Sequence, residues 1–258
     1  MPYASVNGVQ LFYEERGRGT PILGIHGAGS SALVWEDAAE KLAELGRAVI
    51  YDRRGCTRSE RPEPYDVTTV AEHADDALAL LTVLDAGPAI VIGRSYGGTI
   101  ALDLAIRHPE AVLGLALLEA GPIGLSPEYD AWFEELRARV EEAASERGID
   151  AVGETLLRTV FGAWEELPEA FREIFTANGQ ALLAEIRGGE STDLSRLAEI
   201  GVPTLVVTAE DSPAAFRLAS EAVARALPHA RSVVVGGGHA IDPAGPDVLA
   251  FVSGLTRP

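Results

Sequence analysis

One short stretch, Ala89 to Gly98, constrains the fold more than any other part of this chain. It reads Ala-Ile-Val-Ile-Gly-Arg-Ser-Tyr-Gly-Gly, and an apolar helical pattern begins directly after it. A β-strand that turns into a helix within about four residues needs a sharp bend with a strained backbone at its apex. Gly93 and Gly97 flank that apex and remove the Cβ atoms that would collide there. The apex residue is Ser95, so the stretch predicts a nucleophile elbow whose hydroxyl stands above a sheet, at the positive end of a helix.

Strand patterns and helical patterns alternate on both sides of the elbow until residue 121. From there to residue 200 no convincing strand pattern occurs, and helical segments follow at about 127–147, 151–164, 168–178 and 180–187. Strand patterns resume at 203–208 and 232–235. This order predicts an α/β protein with a mostly parallel, eight-stranded sheet flanked by helices. We expect residues 1–121 and 201–258 to form the core, and residues 122–200 to form a helical lid inserted after the sixth strand.

Composition excludes several classes of partner. The formal net charge is −18 and the chain has no basic stripe, so a nucleic acid or an anionic membrane surface would be repelled. The single cysteine, Cys56, excludes an internal disulfide and a cysteine-based metal site. The N-terminus lacks the pattern of a signal peptide, and no apolar run approaches about 18 residues. We therefore expect a cytoplasmic protein that needs no metal and no cofactor and does not bind membranes; a homodimer is left open.

Four stretches, taken together, resemble the α/β-hydrolase fold superfamily over essentially the whole chain. They are His26-Gly27-Ala28-Gly29, the segment 52–59 (Asp-Arg-Arg-Gly-Cys-Thr-Arg-Ser), the elbow at Ser95, and Gly238-His239 after the last strand. The resemblance implies that Ser95 is a nucleophile and that His239 is a general base and then a general acid. A serine hydroxyl needs such a base, and an imidazole with a pKa near about 6.5 can take and return the proton at neutral pH.

The same resemblance implies an oxyanion hole built from two backbone N–H groups. One would come from Tyr96, the residue after the nucleophile, and the other from the loop that carries Gly27 and Ala28. Ala28 is the expected second donor, with Gly27 as its neighbour.

The acid that orients the histidine can be assigned in two ways. Family members commonly carry it in the loop after the strand that follows the lid, but here the expected position falls on Ser212, and Asp211 comes one residue early. A slip of one residue turns a side chain away from its target. The alternative is Glu119, which ends the strand after the elbow helix, where one subgroup of haloalkane dehalogenases and the zearalenone lactone hydrolases carry their acid. It follows a buried apolar run, where an unpaired charge would be costly. We expect Glu119 to be the acid and keep Asp211 as the alternative.

Serine rather than aspartate at the apex argues against dehalogenase and epoxide-hydrolase chemistry and favours acyl transfer. We expect a serine hydrolase that cleaves a carboxylic ester or lactone of an apolar small molecule. Cleavage of a C–C or amide bond by the same triad is the first alternative, and a ligand-binding protein without turnover is the second. Aromatic residues are expected to line an apolar pocket for the substrate: Trp35, Trp132, Phe161, Trp164 and Phe175. The remaining histidines His73, His108 and His229 are expected to face solvent.

Overall fold

The centre of the molecule is an eight-stranded sheet, seen in a computed structural model that describes residues 2–162 and 164–256. Its strands are β1 (Tyr3–Val6), β2 (Val9–Gly17), β3 (Pro21–Ile25), β4 (Arg47–Tyr51), β5 (Ala89–Arg94), β6 (Val112–Leu118), β7 (Thr204–Ala209) and β8 (Ala230–Val235). They lie in the order β1-β2-β4-β3-β5-β6-β7-β8. The pairings of β2 with β1 and β4 are antiparallel and all others are parallel. The predicted α/β class, with a mostly parallel eight-stranded sheet, is confirmed.

Among the described residues, five α-helices cover the two faces of the sheet. On one side lie α2 (Val70–Val83), α3 (Tyr96–Arg107) and α8 (Ala214–Ala226), and on the other lie α1 (Glu36–Leu42) and α9 (Pro246–Thr256). Alternate residues of a strand point to opposite faces, and β5 shows this directly. Its Ala89 and Val91 pack in the first apolar core, whereas Ile90 and Ile92 pack in the second. Because both faces are covered, β5 reads as a continuous apolar run.

In the part of the chain that the structure describes, four α-helices lie between β6 and β7, where the sequence predicts helices. They are α4 (Pro127–Arg147), α5 (Asp150–Phe161), α6 (Glu169–Ala177) and α7 (Gly179–Gly188), here called the α4–α7 segment. The α4 residues Tyr129, Phe133, Leu136 and Val140 recur at helical spacing and enter a third apolar cluster, which also contains Phe216 of α8. None of the helices in the described ranges is long and apolar enough to cross a bilayer.

Candidate active site

The bend between β5 and α3 has the strained geometry expected of a nucleophile elbow. Ser95 has φ 54° and ψ −124°, a backbone conformation with positive φ that residues other than glycine rarely adopt. A Cβ on Gly93 would lie 2.3 Å from Gly97 O, and one on Gly97 would lie 2.2 Å from Ile25 O. Both distances are far below van der Waals contact, so only glycine fits at either position. The bend therefore presents the Ser95 hydroxyl at the carboxyl edge of the sheet.

Glu119 follows β6 directly and is fully buried. Its carboxylate has three close partners: Oε1 accepts a hydrogen bond from Ala209 N at 2.9 Å, and Oε2 lies 2.8 Å from Ser212 Oγ and 2.6 Å from His239 Nδ1. Glu119 itself has a left-handed backbone, with φ 52°, and its N–H donates to Val207 O at 3.0 Å. The buried carboxylate is thus compensated by three donors and held in one orientation.

Asp211, the alternative carboxylate, lies elsewhere. Its side chain is exposed, and its backbone N–H donates to Gly237 O at 2.9 Å. The position where family members commonly carry the acid falls on Ser212. In the structure the Ser212 hydroxyl donates a hydrogen bond to the Glu119 carboxylate. The geometry therefore joins His239 to Glu119, and the described residues contain no hydrogen bond or ion pair between His239 and Asp211.

The contact with Glu119 determines how the His239 ring is used. Since Nδ1 faces a carboxylate, the neutral ring carries its proton on Nδ1 and leaves the Nε2 lone pair free. The ring stacks on Phe216, with centroids 4.0 Å apart and planes inclined by 33°. His239 and Ser95 line the same cavity. Within the described ranges no hydrogen bond joins these two side chains, and such contacts are often long in a free enzyme.

The loop after β3 approaches the elbow closely. A Cβ on Gly27 would lie 3.5 Å from Ser95 Cβ, so the loop runs beside the nucleophile. Over the described part of the chain, neither Tyr96 N–H nor Ala28 N–H donates a hydrogen bond to protein. The buried ring of His26 orients this loop, with Nδ1 donating to Gly27 O at 2.9 Å and Nε2 accepting from Arg53 N at 3.0 Å. Burial, assisted by the positive charge of Arg53, holds the pKa of His26 well below its usual value, so the ring stays neutral.

A buried ion pair connects this loop to the α4–α7 segment. Arg53 is fully buried, and its Nη1 lies 2.8 Å from Oε1 of Glu185 on α7. The other guanidinium contacts include the carbonyl oxygens of His26 and Gly27, at 3.2 and 2.9 Å. Glu185 in turn accepts a hydrogen bond from Gly29 N at 2.9 Å. The pair therefore holds the loop beside Ser95 against a helix that the sequence did not associate with it.

Asn178 reinforces the same junction. Its Nδ2 donates to the carbonyl oxygens of Gly29 and Ser30, and its Oδ1 accepts from Thr57 N at 2.7 Å. His73, expected at the surface, is only 1% exposed and lies 3.2 Å from Arg53 Nη1, so that expectation was wrong. The other two histidines lie nearer the surface: His108 is partly exposed and His229 is exposed.

The cavity beside Ser95 has a mostly apolar wall. It lies beneath side chains of α4, α5, α6, α7 and α8. Three of the five aromatic residues expected there line it: Trp132, Phe161 and Phe175. Trp35 does not, because it lies in the core on the other side of the sheet, where Gly24 leaves space for its ring. Trp164 is also absent from the wall, and its ring lies 5.8 Å from the guanidinium of Arg172.

Two ionisable side chains in this wall were not assigned a role from the sequence. Arg94, next to the nucleophile, donates to Ile241 O at 3.5 Å and has no carboxylate within 4.0 Å among the described residues. Glu190 is buried between Tyr129 and Thr99. Arg94 lies within the elbow stretch and Glu190 belongs to no local motif, and only the tertiary structure reveals that both side chains reach the cavity.

Comparison with known proteins agrees with this arrangement. A family model described as the alpha/beta hydrolase fold matches residues 20–241. The chain belongs to the alpha/beta hydrolase fold family, and it is a hydrolase of that fold. The protein named "Putative carbamate hydrolase RutD" from Azorhizobium caulinodans is 30% identical over 259 aligned positions, covering 96% of this chain and 95% of RutD.

Two further relatives extend the comparison. The protein named "Uncharacterized hydrolase YraK" from Bacillus subtilis is 43% identical over 107 residues, which is 42% of this chain and 40% of YraK. The crystal structure of the enol-lactonase from Burkholderia xenovorans superposes with a TM-score of 0.80 at 26% identity, covering 99% of this chain and all of the lactonase chain. The chain is thus similar both to a protein named as a putative carbamate hydrolase and to an enol-lactonase.

Proposed function

We propose that this protein is a serine hydrolase that cleaves a carboxylic ester or lactone of an apolar small molecule. The observation that carries the proposal is the convergence of three side chains at one edge of the sheet. Ser95 at a strained bend and His239 line one cavity, and His239 is held by a buried Glu119 at 2.6 Å. A base held by an acid and placed near a strained serine is the arrangement that acyl transfer requires.

In the proposed first half-reaction, Ser95 Oγ attacks the substrate carbonyl carbon while His239 Nε2 takes the hydroxyl proton. Glu119 keeps the Nδ1 proton in place and stabilises the imidazolium ion that forms. The negative charge that develops on the carbonyl oxygen is stabilised by the N–H groups of Tyr96 and Ala28, beside Gly27. The tetrahedral intermediate then collapses, the C–O bond to the leaving group breaks, and His239 gives its proton to the departing alkoxide.

In the second half-reaction, water attacks the acyl group on Ser95. His239 accepts a proton from that water, and collapse of the second intermediate returns the proton to Ser95 Oγ and releases the carboxylic acid. The scheme uses the chain's own residues, the substrate and one water molecule.

Residues 122–200 act in this proposal as a lid that carries much of the substrate wall. Trp132, Phe161 and Phe175 give the cavity an apolar surface, which favours uncharged acyl groups. RutD and the enol-lactonase are named for carbamate and lactone substrates. The tests of bond type therefore include carbamates, lactones and amides beside simple esters.

The experiment is to treat the protein with a fluorophosphonate probe and to measure turnover of a p-nitrophenyl ester and a lactone panel. We expect labelling and turnover that disappear in Ser95→Ala, and unchanged activity in Ser145→Ala, which alters an exposed serine of α4. Labelling with turnover only of amides or C–C substrates would replace the ester assignment. No Ser95-dependent labelling and no turnover would favour a ligand-binding protein without catalysis.

A further inference from the structure

A buried carboxyl group in the cavity wall has no part in the proposed reaction. Glu190 lies two residues beyond the end of α7, is only 5% exposed and lines the same cavity as Ser95. Its Oε2 accepts hydrogen bonds from the hydroxyl groups of Tyr129 and Thr99, at 3.0 and 3.4 Å. Its Oε1 has no hydrogen-bond partner in the described ranges and is not fully enclosed by protein atoms. One oxygen therefore anchors the group, and the other keeps some accessible surface in a residue that lines the cavity.

The surroundings of Glu190 favour the protonated carboxyl group. Burial raises its pKa to about 8, and the negative charge of Glu185 adds to this rise. The hydrogen bonds from Tyr129 and Thr99 and the positive charge of Arg53 act in the opposite direction. The other ionisable groups in the wall are Arg94, Tyr129 and His239. Among the described residues, no arginine, lysine or histidine forms an ion pair with Glu190 within 4.0 Å. Because both hydroxyl groups donate to Oε2, the carboxyl proton belongs on Oε1, which becomes a hydrogen-bond donor.

The position of Glu190 relative to the nucleophile follows from α3. Thr99 lies four residues after Ser95, which at about 1.5 Å per residue is about 6 Å along the helix axis. A substrate acylating Ser95 can therefore reach Glu190 with an atom a few bonds from the carbonyl carbon. Around it the wall is mostly apolar, so a donor left without a partner would cost free energy when a purely hydrocarbon group is bound there.

We infer that Glu190 is a specificity-determining residue whose Oε1–H donates a hydrogen bond to an uncharged oxygen of the substrate, such as a ketone, ether or hydroxyl oxygen. This inference rests on the proposed hydrolase function and narrows its substrate class to esters or lactones that carry a second oxygen acceptor. The group selects the substrate and takes no part in bond cleavage.

Three p-nitrophenyl esters test the inference. The 5-oxohexanoate carries the acceptor, the 5-methylhexanoate replaces that oxygen with a methyl group, and the 5-(trimethylammonio)pentanoate carries a fixed cation. The readout is the ratio of kcat/KM for the oxo ester to that for the methyl ester, since steps common to both esters cancel. Ser95-dependent turnover of the methyl ester tests the proposed function separately, so the two failures are distinguishable.

We expect Glu190→Leu to lower this ratio by about 3- to 10-fold, the range of one hydrogen bond to a neutral group. Glu190→Gln keeps a donor of the same size and should hold the ratio within about twofold. Melting temperatures of both variants show whether they are folded. Equal ratios in all three proteins would overturn the inference while leaving the hydrolase function intact.

The wild-type protein supplies a test that needs no variant. As the pH rises from about 6.5 to about 9, Glu190 loses its proton, its oxygen becomes an acceptor only, and the ratio should fall. The ratio of Glu190→Gln should stay constant over the same range. A wild-type ratio that does not change with pH would contradict the inference. A preference for the cationic ester at neutral pH would also contradict it, because a fixed cation is favoured by an ionised carboxylate at Glu190.

Discussion

Replacing Glu119 by glutamine tests which carboxylate serves the histidine. The Glu119 carboxylate receives hydrogen bonds from Ala209 N, Ser212 Oγ and His239 Nδ1, so every partner is a donor. A glutamine amide keeps one acceptor oxygen and adds an NH₂ group, which cannot accept. If the NH₂ group faces Ala209 N, two donors oppose each other. If it faces His239, the ring must accept at Nδ1 and carry its proton on Nε2.

The second orientation disables the base, because Nε2 can no longer take the Ser95 proton. Stabilising the wrong histidine tautomer in a serine triad costs about 10⁴-fold in kcat. Each tenfold loss corresponds to about 1.4 kcal/mol of transition-state stabilisation. We therefore expect Glu119→Gln to lower kcat by about 10³- to 10⁴-fold, with a smaller effect on KM.

The matched control is Asp211→Asn, which also converts a carboxylate to an amide, but at an exposed position. Its turnover should remain within about twofold of wild type, as for most surface substitutions. Both variants are assayed with a p-nitrophenyl ester, with a thermal melt to show that they are folded. The reasoning is refuted if Glu119→Gln stays within about tenfold of wild type while Asp211→Asn loses more than about a hundredfold.

Two further predictions concern buried charge and pH. Glu185→Gln leaves the guanidinium of Arg53 buried without its carboxylate, so urea unfolding should give a free energy of unfolding lower by about 3–5 kcal/mol. The same change in the half-exposed Arg187–Glu141 pair, Glu141→Gln, should cost at most about 1 kcal/mol, and equal losses would contradict the account. Burial and Arg53 hold the pKa of His73 well below its usual value, so below about pH 6.5 the unfolded chain binds a proton there that the folded protein does not. Above that pH, wild type should have a higher free energy of unfolding than His73→Gln. As the pH falls below it, this difference should shrink by up to about 1.4 kcal/mol per pH unit. A difference that does not change with pH would refute the prediction.

Local pattern was sufficient to predict the sheet and the elbow. The strand before Ser95, the glycines beside it and the helix after it are contiguous, and their geometry follows from steric limits on a short stretch of backbone. The position of Asp211 along the chain also favoured Glu119 as the acid. Asp211 comes one residue before the position in the loop after β7 where the acid is expected. In the structure, Ser212 holds that position and donates to Glu119.

The remaining features depend on which face of an element meets which neighbour. Trp35 was expected in the pocket because it lies near the loop at Gly27, but its ring turns into the core over Gly24. His73 was expected at the surface because a lone histidine on a helix is usually solvated, yet α2 turns it towards Arg53. Glu185 and Glu190 reach the site only through the packing of the α4–α7 segment and of the residues that follow it. No local spacing encodes contacts between segments so far apart in the chain.

The most direct test of the central claim is to look for the acyl-enzyme on Ser95. The protein is mixed with p-nitrophenyl butanoate, quenched in acid during turnover, digested and analysed by peptide mass spectrometry. The account predicts one butanoyl group on the peptide that contains Ser95, and no such adduct in Ser95→Ala. Turnover of the ester with an unmodified Ser95 peptide at every time point, or with the acyl group on another residue, would contradict it.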